Sequence, residues 1–378
     1  MKKCVVVSDS FKGTVSSREI CEIAQRVIPR HFPACEVVCI PVADGGEGTV
    51  DCFIQAMGAQ RVGVTVTNAL GEKSAAAYAR IGELAIIEMA AAAGLPQVGA
   101  LRCPGTATTY GVGELIAHAA HSGCKRILLG LGGSATNDGG CGCAAALGVR
   151  FYDAAGQSFV PVGDTLGRIA RIDTAKADEL LRSVEITVMC DVTNPLYGPT
   201  GAAYVFAPQK GADAEKVKSL DAGLRHFGDV IRSQYGLDVS AMPGAGAAGG
   251  MGAGCVALLG GMIQSGIDAV LDVTGFDRQL EGADLVITGE GRIDSQSADG
   301  KVVSGVARRT RAKGVPLIAI AGGIADSAGA VYDIGVSAMF STDRAALPVD
   351  MLGARSPGDY EETLSDIMSL IAIAERFA

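Results

Sequence analysis

The sequence predicts the α/β class, with one doubly wound domain assembled from both ends of the chain and a second α/β domain inserted between them. Three observations lead there. At 378 residues the chain exceeds what a single hydrophobic core usually sustains, so two domains are expected. Hydrophobic residues make up 48% and aromatics only 5%, with 52 glycines and no tryptophan. The core must then be Val, Ile, Leu and Ala, the palette of buried parallel strands covered by helices on both faces. Finally, the two ends share a strand–helix alternation that the middle lacks, which places the expected domains at 1–66 with 283–378 and at 67–282.

In chain order, Cys4 to Asp9 is a β-branched strand, and Ser16 with Glu19 forms a capping box that opens an amphipathic helix to about Ile28. Cys35 to Val42 repeats the strand, and a helix from about Glu47 to Met57 ends at Gly58. From Thr65 to Gly82 short alternating pieces, punctuated by Asn68, Gly71 and Gly82, predict antiparallel strands. Helical spacing runs from Thr106 to His121, strands are expected at Lys125 to Leu131 and Val184 to Cys190, and a polar surface helix at Asp213 to Gln234. After the glycine-rich stretch Pro243 to Gly254 come a helix, the strand Asp284 to Thr288, the helix Val302 to Lys313 and the strand Pro316 to Ala321. A last strand, Ser337 to Ser341, and a closing helix, Tyr360 to Phe377, complete the pattern.

A net charge of -9 with no basic stripe excludes a nucleic-acid partner. Eleven cysteines, an odd number spread through a long chain and partly set in apolar runs such as those of Cys4 and Cys39, read as reduced thiols in a cytoplasmic protein. MKKCVVVSDS has an apolar run of four residues, too short for a signal peptide, and the apolar stretch from Ala85 to Pro96 is broken by Glu88 and Gly94. No membrane partner is expected. A homodimer is compatible with the sequence.

Function concentrates at strand ends. Six predicted strands each finish in a polar, glycine-rich cluster: Ser8 to Gly13, Ala43 to Thr49, Gly132 to Gly140, Cys190 to Asn194, Thr288 to Asp294 and Ala321 to Gly323. Open α/β sheets bind ligands outside the carboxyl ends of their strands. Plain turns explain any one cluster; six together, most carrying a carboxylate or a cation, call for a ligand. Phosphoryl transfer uses this inventory: glycine loops offer N–H groups to phosphate, carboxylates hold magnesium, and Lys or Arg neutralises the transferred group. There is no Walker A motif, because Lys301 after Gly300 is followed by Val302 and lacks the upstream glycine.

Competing chemistries are less well served. Lys125 to Asp153 has the layout of a dinucleotide fingerprint, with Gly130, Gly132 and Ala135 between strand and helix, so a nicotinamide-dependent hydroxy-acid oxidoreductase is an alternative. Against it, Asn137, Asp138, Gly139 and Gly140 fall where the first helical turns should run, at about 1 kcal/mol per glycine. His31, His118, His121 and His226 lie away from the clusters and lack metal-ligand spacing, and Cys141 with Cys143 is too close for a CxxC site.

Taken together, SDSFKG, PVADGGEGT, GGSATNDGG, CDVTNPLYGPTGA, PQKGA, PGAGAAGGMGAG and TGEGRID closely resemble the bacterial glycerate kinase family, over essentially the whole chain. The resemblance implies ATP-dependent phosphorylation of D-glycerate with Mg2+, giving 2-phosphoglycerate, in glyoxylate and sugar-acid catabolism. It also implies two α/β domains, a discontinuous Rossmann- or flavodoxin-like one and an inserted one. Small departures are Thr14, Val15, Cys143, Ala207, Ser297 and Val303. A non-catalytic glycerate sensor is a further alternative. Within the kinase reading, Arg292 and Ser10 are expected to hold the glycerate carboxylate, as a guanidinium fork suits a planar anion. Asp191, directly after an apolar strand, is the expected base, or else a turn cap. Lys12 and Lys210 are expected to stabilise charge, or to be solvated lysines. Asp44, Glu290 and Asp294 are the expected magnesium ligands, with Asp294 alternatively a cap. Gly132, Gly133, Ser134, Asn137, Gly244, Gly246, Gly249 and Gly250 are expected at the nucleotide phosphates, the last four alternatively forming a hinge.

Overall fold

The computed structural model describes residues 1–11, 14–40, 42, 49–298, 301–345 and 355–377. In chain order its strands are β1 (Lys3–Ser8), β2 (Glu36–Cys39), β3 (Gln60–Thr67), β4 (Lys73–Ile81), β5 (Leu84–Glu88), β6 (Arg126–Gly130) and β7 (Arg150–Tyr152). They continue with β8 (Ser158–Phe159), β9 (Arg171–Asp173), β10 (Glu185–Met189), β11 (Met262–Gln264), β12 (Leu285–Ile293), β13 (Leu317–Ile324) and β14 (Ala338–Ser341). The chain divides into two compact units, Met1–Asp44 with Ile267–Ala378, and Gly45–Gly266. These joins differ from the expected ones because β3 pairs along its whole length with β4, and the helix Thr49–Met57 packs on β4 and β5, which ties both to the inserted unit.

The unit built from the termini holds a parallel sheet in the order β2-β1-β12-β13-β14. This is the flavodoxin-like order, with the inserted unit entering between the second and third strands. One face buries Cys4, Val6, Ile287 and Ile320 under Ile20, Val27 and Ile28 of the helix Ser17–His31 and Leu364 and Met368 of the helix Ser356–Ala374. The helix Val302–Lys313 packs on β12, β1 and β13 and covers the other face, so the domain is doubly wound as its aliphatic strands require. The Ser16–Glu19 capping box is present.

Two strands run further than expected. β12 continues from Thr288 through Gly289, Glu290 and Arg292 to Ile293, paired with β13, which itself continues to Ile324. The sequence reads this segment as a loop because of its glycines. Their actual use is close approach: a Cβ on Gly289 would strike the Ile320 carbonyl oxygen, and one on Gly322 the Gly291 carbonyl.

The inserted unit has a six-stranded sheet, β11-β10-β6-β5-β4-β3, whose first four strands are parallel, while β4 and β3 are antiparallel as the alternation near Thr65 to Gly82 predicts. A small antiparallel sheet, β8-β7-β9, accompanies it. The helix Ala214–Tyr235 is capped by Asp213 and is less superficial than expected, since Leu220, Leu224, Phe227 and Ile231 are buried. Among the described residues no helix is long and apolar enough to cross a membrane, and the described cysteines form no disulfide.

Candidate functional site

In the inserted unit, β6 ends at Gly130, in register with Glu88 of β5 and Met189 of β10. The chain then forms the loop Leu131 to Gly140 before the short helix Cys141–Ala146. Gly132 and Gly133 reach the surface, whereas Ser134 to Gly140 are buried. Segment 89–95 braces the start of this loop through Leu95 N–H to the Gly133 carbonyl and Ala135 N–H to the Ala93 carbonyl. Asp138 braces its end: the carboxylate accepts Thr109 N–H and Oγ1–H, both at 2.8 Å, and the N–H groups of Gly140 and Gly142. Burial pushes its carboxyl above the usual carboxylate range, against the pull of those donors. The positive φ of Gly139 and Gly140 places a long loop, rather than a helix, after β6, which removes the layout a dinucleotide fingerprint needs.

Lys210 lies beneath this loop at 2% exposure, donating to Ser134 Oγ and to the Thr136 carbonyl, both at 2.7 Å. Burial pulls its ammonium down to about 7, with the Asp138 charge opposing. Between these braces the backbone N–H groups of Gly132, Gly133, Ser134, Thr136 and Asn137 make no hydrogen bond among the described residues. Asn137 is fully buried with both amide atoms unpartnered, and Thr136 Oγ1 is unpartnered too. Buried polar groups are normally satisfied, so the unpaired donors of Ser134, Thr136 and Asn137, with those of Gly132 and Gly133 at the surface, are available to an anion.

The glycine-rich segment 244–250 supports this loop from behind. Ala248, Gly249 and Gly250 have left-handed φ, and the Gly249 carbonyl accepts Gly139 N–H at 3.0 Å. A Cβ on Gly249 would collide with Thr136 and Asn137 backbone atoms, and one on Gly250 with Gly139. Gly246 lies against the Pro195 carbonyl in the same way and donates to Asn194, and Gly244 faces Cys190 and Val192. These four glycines thus let the segment approach both the loop after β6 and the one after β10. Asp191, at the end of β10, is exposed and accepts Gly266 N–H at 2.8 Å, so its carboxylate is oriented but well solvated.

In the terminal unit the strand ends form their own cluster. β1 turns from β2 on one side to β12 on the other, and ligands in such sheets bind where the strand order reverses. Asp9 N–H donates to the Gly289 carbonyl, and Asp9 Oδ1 accepts Ser10 N–H at 2.7 Å. On β12, alternate residues Thr288, Glu290 and Arg292 share one face. Thr288 is fully buried with an unpartnered hydroxyl; Glu290 is 7% exposed with an unpartnered Oε1. Burial pushes the Glu290 carboxyl up, while a hydrogen bond from Ser297 and the Lys301 charge oppose this and the Asp9 and Asp294 charges add to it. Arg292 is exposed, and its guanidinium has no hydrogen-bond or ion-pair partner among the described residues. Asp294 Oδ1 accepts Gln296 N–H, the capping geometry.

The expected residues therefore fall in two sets. Lys210, Asp191, Gly132, Gly133, Ser134, Asn137, Gly244, Gly246, Gly249 and Gly250 belong to the inserted unit, and Ser10, Glu290, Arg292 and Asp294 to the terminal one. Lys12 and Asp44 lie outside the described residues. Thr136, Thr288, Ser297 and Glu88, which accepts Val50 N–H at 2.6 Å, were missed. The period-two spacing of Thr288, Glu290 and Arg292 could have found the strand face.

Among the described residues no group of three or more His, Cys, Asp and Glu stands ready to hold a metal ion. Magnesium, however, takes one or two carboxylates plus substrate phosphates and water, and the unpartnered Glu290 Oε1 with Asp294 nearby fits that need.

The glycerate kinase family model matches residues 4–372. A glycerate kinase of Bacillus cereus is 45% identical over 98% of each chain, and a glycerate 2-kinase of Escherichia coli K12 is 45% identical over 90% of each. A crystal structure of a candidate glycerate kinase 2 from Salmonella typhimurium LT2 superposes with a TM-score of 0.87 at 39% identity, covering 99% of both chains.

Proposed function

The chain belongs to the glycerate kinase family, and from that premise we propose that it transfers the γ-phosphoryl group of ATP to the 2-hydroxyl of D-glycerate, with Mg2+, giving 2-phosphoglycerate. The observation that carries this reading is the family match along residues 4–372. The unbonded N–H groups of Gly132, Gly133, Ser134, Thr136 and Asn137, with the unpartnered Asn137 amide, support a nucleotide-phosphate loop there. Gly244, Gly246, Gly249 and Gly250 serve it by close packing.

Arg292, an uncommitted guanidinium, and Ser10 receive the glycerate carboxylate. Asp191 accepts the proton of the attacking hydroxyl, aimed by its bond to Gly266. Glu290 and Asp294 would hold magnesium, which when bound offsets charge on the phosphates. Lys12 and Asp44 enter on their sequence motifs alone.

The test is ADP release in the presence of ATP, Mg2+ and D-glycerate, followed by phosphorus NMR of the product. Phosphate on the secondary hydroxyl couples to one carbon-bound proton, whereas phosphate on the primary hydroxyl couples to two. Single-proton coupling is the expected result; two-proton coupling would move the transfer to the 3-hydroxyl, and no glycerate-dependent ADP would remove the kinase reading.

A further inference from the structure

We infer that Lys210 is the positioning residue of the nucleotide loop, its buried ammonium fixing Ser134 and the Thr136–Asn137 peptide so that their free donors face phosphate. The inference rests on the reading of Gly132 to Asn137 as that loop.

Burying an ammonium is costly, and buried lysines are normally paired with a carboxylate. Lys210 makes no ion pair among the described residues. Its two partners, Ser134 Oγ and the Thr136 carbonyl, are neutral, and the one charge acting on it, Asp138, is itself occupied by four donors. A purely structural role would be served as well by an apolar side chain of similar volume, so the retained charge needs another use.

The geometry supplies one. Accepting a hydrogen bond from a cation polarises the Thr136–Asn137 peptide and makes its N–H a stronger donor, and that N–H has no partner among the described residues. The same ammonium holds Ser134 Oγ, leaving Ser134 N–H free as well. Lys210 thus acts on phosphate through the loop, without touching it, in place of the direct charge-stabilising role that its motif suggests.

The experiment compares equilibrium ATP binding at about pH 6, below the value of about 7 at which the buried Lys210 gives up its proton, by the full-length chain, its Lys210→Met variant and its Asn137→Ala variant, together with KM for glycerate. Lys210→Met should weaken ATP binding about tenfold or more while KM for glycerate stays within about twofold. Lys210→Arg, which keeps the charge, should recover part of the loss. Weak ATP binding by Asn137→Ala with normal binding by Lys210→Met would overturn the inference and leave the loop reading standing. Normal binding by both would remove the loop reading, and the inference with it. If Lys210→Met does not fold, Ser134→Ala, which removes one of the two ammonium contacts without adding bulk, takes its place, and unchanged ATP binding by that variant would overturn the inference.

Discussion

At the end of β10, Asp191 is held by direction. One carboxylate oxygen accepts Gly266 N–H at 2.8 Å while the residue is exposed, so the bond aims the carboxylate. As the proposed base it would act through placement, and its removal would cost the rate and little of the binding. Asn in its place can still accept Gly266 N–H, so Asp191→Asn should preserve the fold. Steady-state kinetics of that variant should show turnover reduced about 10²-fold or more with KM for glycerate changed less than about threefold. Near-normal turnover would return Asp191 to the role of a turn cap.

Among the elements, segment 244–250 shows a second use of glycine-rich motifs. Its glycines suggest phosphate binding or a hinge, and the segment lies against the loop Leu131 to Gly140, where Gly246, Gly249 and Gly250 provide room for another backbone. Ala248, at φ 52 and ψ 41, carries a strain of about 1–2 kcal/mol to complete the left-handed run. Gly249→Ala should therefore cost more than a conformational penalty, because its Cβ would also displace Thr136 and Asn137. Gly260, a helix C-cap at φ +65 with nothing within 4 Å of its Cβ position, isolates the conformational term. Thermal melts should show Gly260→Ala destabilised by about 1 kcal/mol and Gly249→Ala by about 3 kcal/mol or more, with ATP affinity reduced only in the latter. Equal losses would mean that the loop tolerates the displacement. The same logic marks how much could be read in advance. Capping by Ser16 and Glu19, the aliphatic strands and the helix Val302–Lys313 follow from local chemistry and were legible. The extension of β12 through Glu290 and Arg292 was not, since it depends on the glycines of β12 and β13 meeting each other. Nor was the burial of Lys210, because PQKGA spells a charged turn and only the loop folded over it excludes water.

For the molecule as a whole, the insertion between β2 and β12 gives each unit its own polar strand ends and its own buried titratable groups, and these groups set how stability responds to pH. Lys210 is brought from 10.5 to about 7 in the folded chain, so between those values the unfolded chain holds a proton that the folded one has lost. Stability then rises with pH across that window: the burial penalty is full below about 7 and lifted by about 10.5, at up to roughly 1.4 kcal/mol per pH unit for one proton. Asp138 and Glu290 act in the opposite sense at lower pH. Their carboxyls are raised, so above the ordinary carboxylate range the folded chain retains protons the unfolded chain gives up, and their contribution declines as pH climbs toward their folded values. Other groups titrate in both windows, so the informative quantity is a difference. Subtracting the unfolding free energy of Lys210→Met from that of the unsubstituted chain should leave a curve that is flat from about pH 5 to 7 and climbs from about 7 to 10. Denaturant titrations at fixed pH measure it, and a difference that stays level to pH 10 would show that the ammonium keeps its proton beneath the loop.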